Sequence, residues 1–199
     1  MMLHKIYGSL ILVLAFAGSS WGQEVTLRGK PLTLMGEKMQ VGQALPTVRL
    51  PDLGLKMIDL QSLKGKVTIL SVVPSLDTPT CEKQTHILSE ENKGLDQTAN
   101  LVTISRDLPF AQKRFAKEAN IHNIQFLSDY RDAEFGKSTG LLIEESRLLA
   151  RAIIVLDRDG VIRYLEVVPE LARLPEMEKA FQSAWGLINN RSVTGDIGQ

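Results

Sequence analysis

Pro74-Ser75-Leu76-Asp77-Thr78-Pro79-Thr80-Cys81 contains the one cysteine of the 199-residue sequence. A lone thiol closes no intramolecular disulfide, supplies too few ligands for a thiolate zinc site and forms no Cys-x-x-Cys pair. The chemistry left to it is that of a nucleophile or redox centre acting alone or with another molecule's thiol. Thr78 is a good helix N-cap, and Pro79 suits the first helical position because its missing N–H would be unpaired there. Counting on, Cys81 takes the third helical position, where unpaired backbone N–H groups and the helix dipole favour an anion. The spacing therefore favours the thiolate, which is the nucleophilic form. A free cysteine is more commonly a small buried hydrophobe, but such cysteines sit inside strands and helices. Cys81 instead opens a helix behind a buried strand, the place where open α/β folds put their sites.

The elements that position this segment are legible on either side of it. Lys66 to Val73 is a β-branched run of the length expected for a strand buried on both faces, and it ends at Pro74. Pro79 to Lys93 reads as a helix, Leu101 to Ser105 as a second buried strand, and Pro109 to Ala119 as a second helix with Ala111, Phe115 and Ala119 on one face. A short strand follows near Ile124 to Leu127. Arg151 to Leu156 and Val161 to Val168 are two further strands joined by Asp157-Arg158-Asp159-Gly160, whose Asp-Gly signals a hairpin. In the last helix Met177, Ala180, Phe181, Ala184, Trp185 and Ile188 form one apolar stripe. Near the start, Val25 to Leu27 and Leu32 to Leu34 flank Arg28-Gly29-Lys30-Pro31 as a β-hairpin. Strand alternating with helix, then a hairpin and a closing helix, predicts an α/β fold with a mixed central sheet flanked by helices.

The composition narrows the function classes. With 23 basic and 23 acidic side chains the formal net charge is zero, so no general electrostatic grip on nucleic acid is expected. The apolar fraction of 44% suits one core, and residues 23–188 are read as one domain followed by a polar tail over 189–199. Residues 1–22 have the order of a cleavable signal peptide: Lys5, an apolar run from Leu10 to Ala17, then small residues before Gln23. That order predicts a periplasmic or secreted protein, in an oxidising compartment where most proteins use cysteines in pairs. His4, His86 and His122 share no ligand spacing, and Gly65 and Gly94 precede no phosphate-binding pattern, so neither metal nor cofactor is expected. Without further information, Arg151 reads as a strand-end arginine in a surface ion pair and Thr78 as a plain cap.

Pro74, Thr78 and Cys81 form a Pro-x-x-x-Thr-x-x-Cys arrangement that resembles the active-site loop of peroxiredoxins. The string Pro74 to Thr78, the segment Asp107 to Gln112 with Arg114-Phe115, and the segments Arg131 to Gly136 and Ala150 to Val155 are similar to bacterial thiol peroxidases in that family. The resemblance runs from about Val25 to Trp185. It implies a thioredoxin-like fold with an N-terminal β-hairpin, a hydroperoxide substrate, and a homodimer. It also implies roles: Cys81 as the nucleophile that becomes a sulfenic acid, Thr78 as a hydrogen-bond partner of the peroxide, Arg151 as stabiliser of the thiolate and of the breaking O–O bond, and Pro74 as a shield. The sequence departs from the family where a resolving cysteine follows the Arg-Phe pair, because Ala116 stands there. Resolution is then expected from outside, by a small thiol, by a thioredoxin-like or disulfide-reductase partner, or by a second Cys81, the last disfavoured because two active-site loops rarely meet in a dimer of this family. The alternative is a redox-sensing or binding module that forms a mixed disulfide with a partner and turns over little.

Overall fold

The computed structural model describes residues 24–190; the expected signal peptide and the tail beyond Asn190 lie outside the described residues. In chain order the elements are β1 (Thr26–Leu27), β2 (Lys30–Pro31), β3 (Leu34–Met35), β4 (Arg49–Pro51), β5 (Met57–Asp59), β6 (Thr68–Val72), α1 (Pro79–Glu90), β7 (Asn100–Ser105), α2 (Pro109–Glu118), β8 (Gln125–Ser128), α3 (Glu134–Thr139), β9 (Leu142–Ile143), β10 (Ala152–Leu156), β11 (Ile162–Val167) and α4 (Met177–Asn189). Five strands form the central sheet in the order β11-β10-β6-β7-β8. β6, β7 and β8 run parallel, while β10 is antiparallel to both of its neighbours. The sheet is therefore mixed, as expected.

β6 and β10 are buried at every position, which requires both faces of the sheet to be covered. Side chains alternate between the faces. Leu70, Val72, Ile154 and Leu156 join a core with Val48, Leu50 and Phe135, beneath the N-terminal strands and α3. Ile69, Ile153 and Val155 join a second core with Leu88 of α1 and Ala180, Phe181 and Ala184 of α4. The apolar stripe of α4 is thus the one its spacing predicts. The β10–β11 turn closes at Gly160 (φ 79°), and the Asp157 carboxylate accepts from the N–H groups of Asp159 and Val161 at 2.9 and 3.0 Å.

Three local features differ from or add to the expected pattern. The N-terminal hairpin turns on Arg28 and Gly29, both left-handed at φ 52° and 74°, a two-residue turn that matches strand twist. β1 consequently pairs with Lys30–Pro31, and Leu34 leaves to pair with Ile143 of β9. On α2 the buried positions are Pro109, Gln112 and Ala116, one step round from the expected Ala111, Phe115, Ala119 face. Gln112 is accommodated inside because its amide donates to Ser105 Oγ and to the Leu127 carbonyl at 3.0 and 2.9 Å. The third is α3, which the sequence pattern does not reveal: its first N–H groups, of Phe135 and Gly136, are met at 3.0 Å by the Asp129 carboxylate from the end of β8.

The hairpin is locked by an acid distant in sequence. Glu170 accepts from the N–H groups of Arg28 and Gly29 at 3.0 and 3.1 Å and from Thr26 Oγ1 at 2.9 Å. These donors, the two turn amides above all, pull its carboxyl down to about 2 from 4.5. Because the folded value is depressed, this stabilising contribution is complete above the ordinary carboxylate range and is lost progressively as pH falls from 4.5 through about 2. The Arg28 and Gly29 amide resonances are therefore expected to stay unchanged on acidification to roughly pH 3 and to move near pH 2. A midpoint near 4 in an NMR titration would refute this.

Candidate active site

Pro74 ends the central ladder. Val73 still donates to the Ile104 carbonyl at 3.0 Å, but Pro74 has no N–H to continue the pairing, so the chain turns away from β7 there. Pro74 is buried. The loop it begins is held by Asp107, just past β7: Ser75 Oγ donates to one carboxylate oxygen at 2.7 Å, and Leu76 N–H and Ser105 Oγ donate to the other at 2.8 and 2.7 Å. Thr78 then occupies the N-cap of α1 with an extended backbone, and Pro79 is the first helical residue, as the spacing predicts. The Thr78 hydroxyl makes no cap bond; it donates back to the Ser75 carbonyl at 3.0 Å.

Cys81 is the third residue of α1 and is fully buried, 0% exposed. It packs in the same apolar core as Val73, Leu76 and Ile153. Arg151 reaches it from the start of β10. Ala152 is registered opposite Val72, so the residue before β10 lies at the same end of the sheet as the Pro74 loop. The Arg151 guanidinium is 2% exposed and donates through three nitrogens: Nη2 to Cys81 Sγ at 3.4 Å, Nη1 to Gln84 Oε1 at 2.7 Å, and Nε to the Leu171 carbonyl at 3.0 Å. Arg151 takes part in none of the ion pairs among the described residues. The expectation of a surface ion pair is thereby corrected.

Gln84 and Ser71 were not singled out by the sequence pattern, and Asp107 entered it only as the first residue of a family-like segment. Gln84 lies one residue short of a turn beyond Cys81 on α1, fully buried, and its amide nitrogen donates to Ser71 Oγ at 2.8 Å. With that nitrogen engaged, its oxygen faces Arg151. A glutamine three residues after a candidate nucleophile was the available signal; its burial and its partner in β6 were not. Beside the loop a cleft of about 410 Å³ is lined by Leu76, Asp77, Thr78, Pro79, Phe115 and Glu118, among others. Among the described residues no three His, Cys, Asp or Glu side chains gather as a metal-ligand set.

A thiol at a helix start with a buried guanidinium on its sulfur is an arrangement suited to nucleophilic attack with charge stabilisation. The family model described as Redoxin matches residues 40–181. The thiol peroxidase of Bacillus subtilis is 42% identical over 165 residues, covering 83% of this chain and 98% of that protein. The chain belongs to the thiol peroxidases, within the peroxiredoxins. It is thus a member of a family of enzymes. The thiol peroxidase of Streptococcus pneumoniae is 44% identical over 163 residues, covering 82% of this chain and 99% of that one. Among solved structures, a peroxiredoxin-like protein from Aquifex aeolicus superposes with a TM-score of 0.78 at 34% identity, over 83% of this chain and 98% of that one. In this thiol peroxidase the residue after Arg114-Phe115 is Ala116, which is buried in the α2 face of the core that also holds Cys81.

Proposed function

We propose that the protein is an exported thiol-dependent peroxidase that reduces hydrogen peroxide and organic hydroperoxides at Cys81 and is returned to the thiol state by an external thiol. The contact between Arg151 Nη2 and Cys81 Sγ carries this reading. A buried guanidinium whose other partners are neutral oxygens carries an uncompensated charge, which costs several kcal/mol in such a site unless an anion meets it. The Cys81 thiolate is that anion. The thiolate attacks the distal peroxide oxygen, the S–O bond forms as the O–O bond breaks, and the alkoxide or hydroxide released takes a proton from solvent. The product is Cys81 sulfenic acid with one water or alcohol. Arg151 stabilises the charge that develops on the departing oxygen. The Thr78 hydroxyl, whose proton is engaged with the Ser75 carbonyl, accepts the peroxide O–H. Pro74 shields the sulfur. The apolar part of the adjoining cleft, with Leu76, Pro79 and Phe115, suits the organic portion of a larger hydroperoxide.

An external thiol then attacks the sulfenic sulfur, expelling water and leaving a mixed disulfide, which a second thiol reduces. The absence of any other cysteine in the sequence supports this one-cysteine cycle. The signal-peptide order of residues 1–22 supports export to a periplasm or the exterior, and the family resemblance supports a homodimer. The test is intact mass. Reduced protein mixed with a slight excess of hydrogen peroxide is expected to gain one oxygen within seconds, and then to gain one thiol residue when a small thiol follows. An unmodified mass, or a rate no faster than that of an exposed model thiol, would sink the proposal.

A further inference from the structure

The Arg151 guanidinium is held along its Nε edge by a backbone atom of an irregular segment. The carbonyl that accepts from Nε belongs to Leu171, between the end of β11 and the start of α4. A carbonyl outside regular structure is only as well placed as whatever ties its segment down. Here the tie is the N-terminal hairpin. Thr26 N–H donates to the Pro169 carbonyl at 2.7 Å, and Leu171 N–H donates to the Thr26 carbonyl at 2.9 Å. Between these two bonds stands Glu170, whose carboxylate accepts the two turn amides of the hairpin and Thr26 Oγ1, and the N–H of Ala172 at 3.2 Å. Leu171 is thus bonded to β1 through its own N–H and preceded by Pro169 and Glu170, both anchored to β1 and its turn. The hairpin lies far from the cysteine in sequence and contributes no side chain to it, yet it fixes the oxygen that orients the arginine.

We propose that the β1–β2 hairpin, locked by Glu170, positions Arg151 for peroxide reduction through the Leu171 carbonyl, and that Glu170 is a positioning residue of this reaction. The inference rests on the reading that Arg151 assists Cys81. Without the carboxylate, the Arg28 and Gly29 amides lose their acceptor, the 169–172 segment keeps only its two backbone bonds to Thr26, and the carbonyl sets the plane of the guanidinium less firmly. Small displacements of a group that stabilises charge slow reactions steeply, up to about a hundredfold for 1 Å.

The test is a double-mutant cycle on the purified protein, reading the second-order rate of sulfenic acid formation with hydrogen peroxide. Glu170→Ala is expected to slow the reaction about tenfold in the otherwise native chain and less than about twofold in an Arg151→Ala background, since a residue acting only through Arg151 has nothing left to position. Equal slowing in both backgrounds would overturn the inference in favour of a purely structural role. So would a Glu170→Ala rate matching the native one while Arg151→Ala is slow. If Arg151→Ala itself reacts at the native rate, the role assigned to Arg151 fails, and this inference falls with it. Should Glu170→Ala not fold, Glu170→Gln and Thr26→Val read the same cycle, each removing part of the lock while keeping side-chain volume.

Discussion

Arg151→Ala is expected to slow the reaction of Cys81 with hydrogen peroxide by about two to three orders of magnitude, the loss found when a single preorganised donor is removed from a site of charge development. Stopped-flow measurement of sulfenic acid formation reads this directly. Two effects act in the same direction. The thiolate loses the cation whose Nη2 lies 3.4 Å from its sulfur, and the departing oxygen loses its stabilising donor. Arg151→Lys is expected to recover only a small part of the rate although it keeps the charge. An ammonium is a compact point charge, whereas the native residue meets Leu171, Gln84 and Cys81 at once through a planar fork. The alanine variant leaves Gln84 Oε1 and the Leu171 carbonyl without their donor in a buried site, at a stability cost of about 1–3 kcal/mol for each group left unpaired. Rates therefore need to be compared at temperatures where the variants remain folded. An alanine variant as fast as the native protein would remove Arg151 from the chemistry.

Cys81→Ser is expected to abolish peroxidase activity, leaving only the uncatalysed reaction between peroxide and the added thiol. The substitution changes one atom at a fully buried position, and the hydroxyl can still accept from Arg151, so the fold should persist by circular dichroism. What disappears is the nucleophile. A serine hydroxyl reacts only when a base takes its proton, and the groups on Cys81 are a guanidinium and an amide-bearing helix, neither of them a base. His86, on the next turn of α1, pairs with Glu90 at 2.6 Å on the exposed side of that helix. A thiolate needs no such base. Residual turnover in the serine variant, measured with a hydroperoxide and a reducing thiol in steady state, would show that the chemistry lies elsewhere.

The parts of the fold that could be read from the sequence are those whose pattern repeats within a few residues. β6, β7 and β10 are runs rich in β-branched and apolar residues, and α4 carries an apolar stripe over three turns, so each announces itself. α3 spans Glu134–Thr139, too short for a periodic stripe, and takes its first hydrogen bonds from Asp129, a residue of another element. β3 and β9 are two-residue strands that exist only because they meet each other. The buried face of α2 is hidden in the sequence for a related reason: Gln112 is polar, and only the fold brings Ser105 and the Leu127 carbonyl to its amide. Gln84 and Asp107 are polar residues of the same kind, useful to the site through partners that sequence spacing does not reveal.

The chain by itself determined the place of the sulfur at a helix start and the number of thiols it brings. Thr78, Pro79 and Cys81 are neighbours, so the helix start and the place of the thiol in it follow from local backbone preferences, and a sequence with one cysteine has no second thiol of its own to offer. Only the tertiary structure decided what surrounds that sulfur. Arg151 is 70 residues away along the chain, and it arrives because antiparallel pairing of β10 with β6 sets Ala152 opposite Val72. Its buried place there, its partners Gln84 and Leu171, and the tie from Leu171 back to the N-terminal hairpin all depend on strand register. Register is set by packing of both sheet faces at once, which no short stretch of sequence contains.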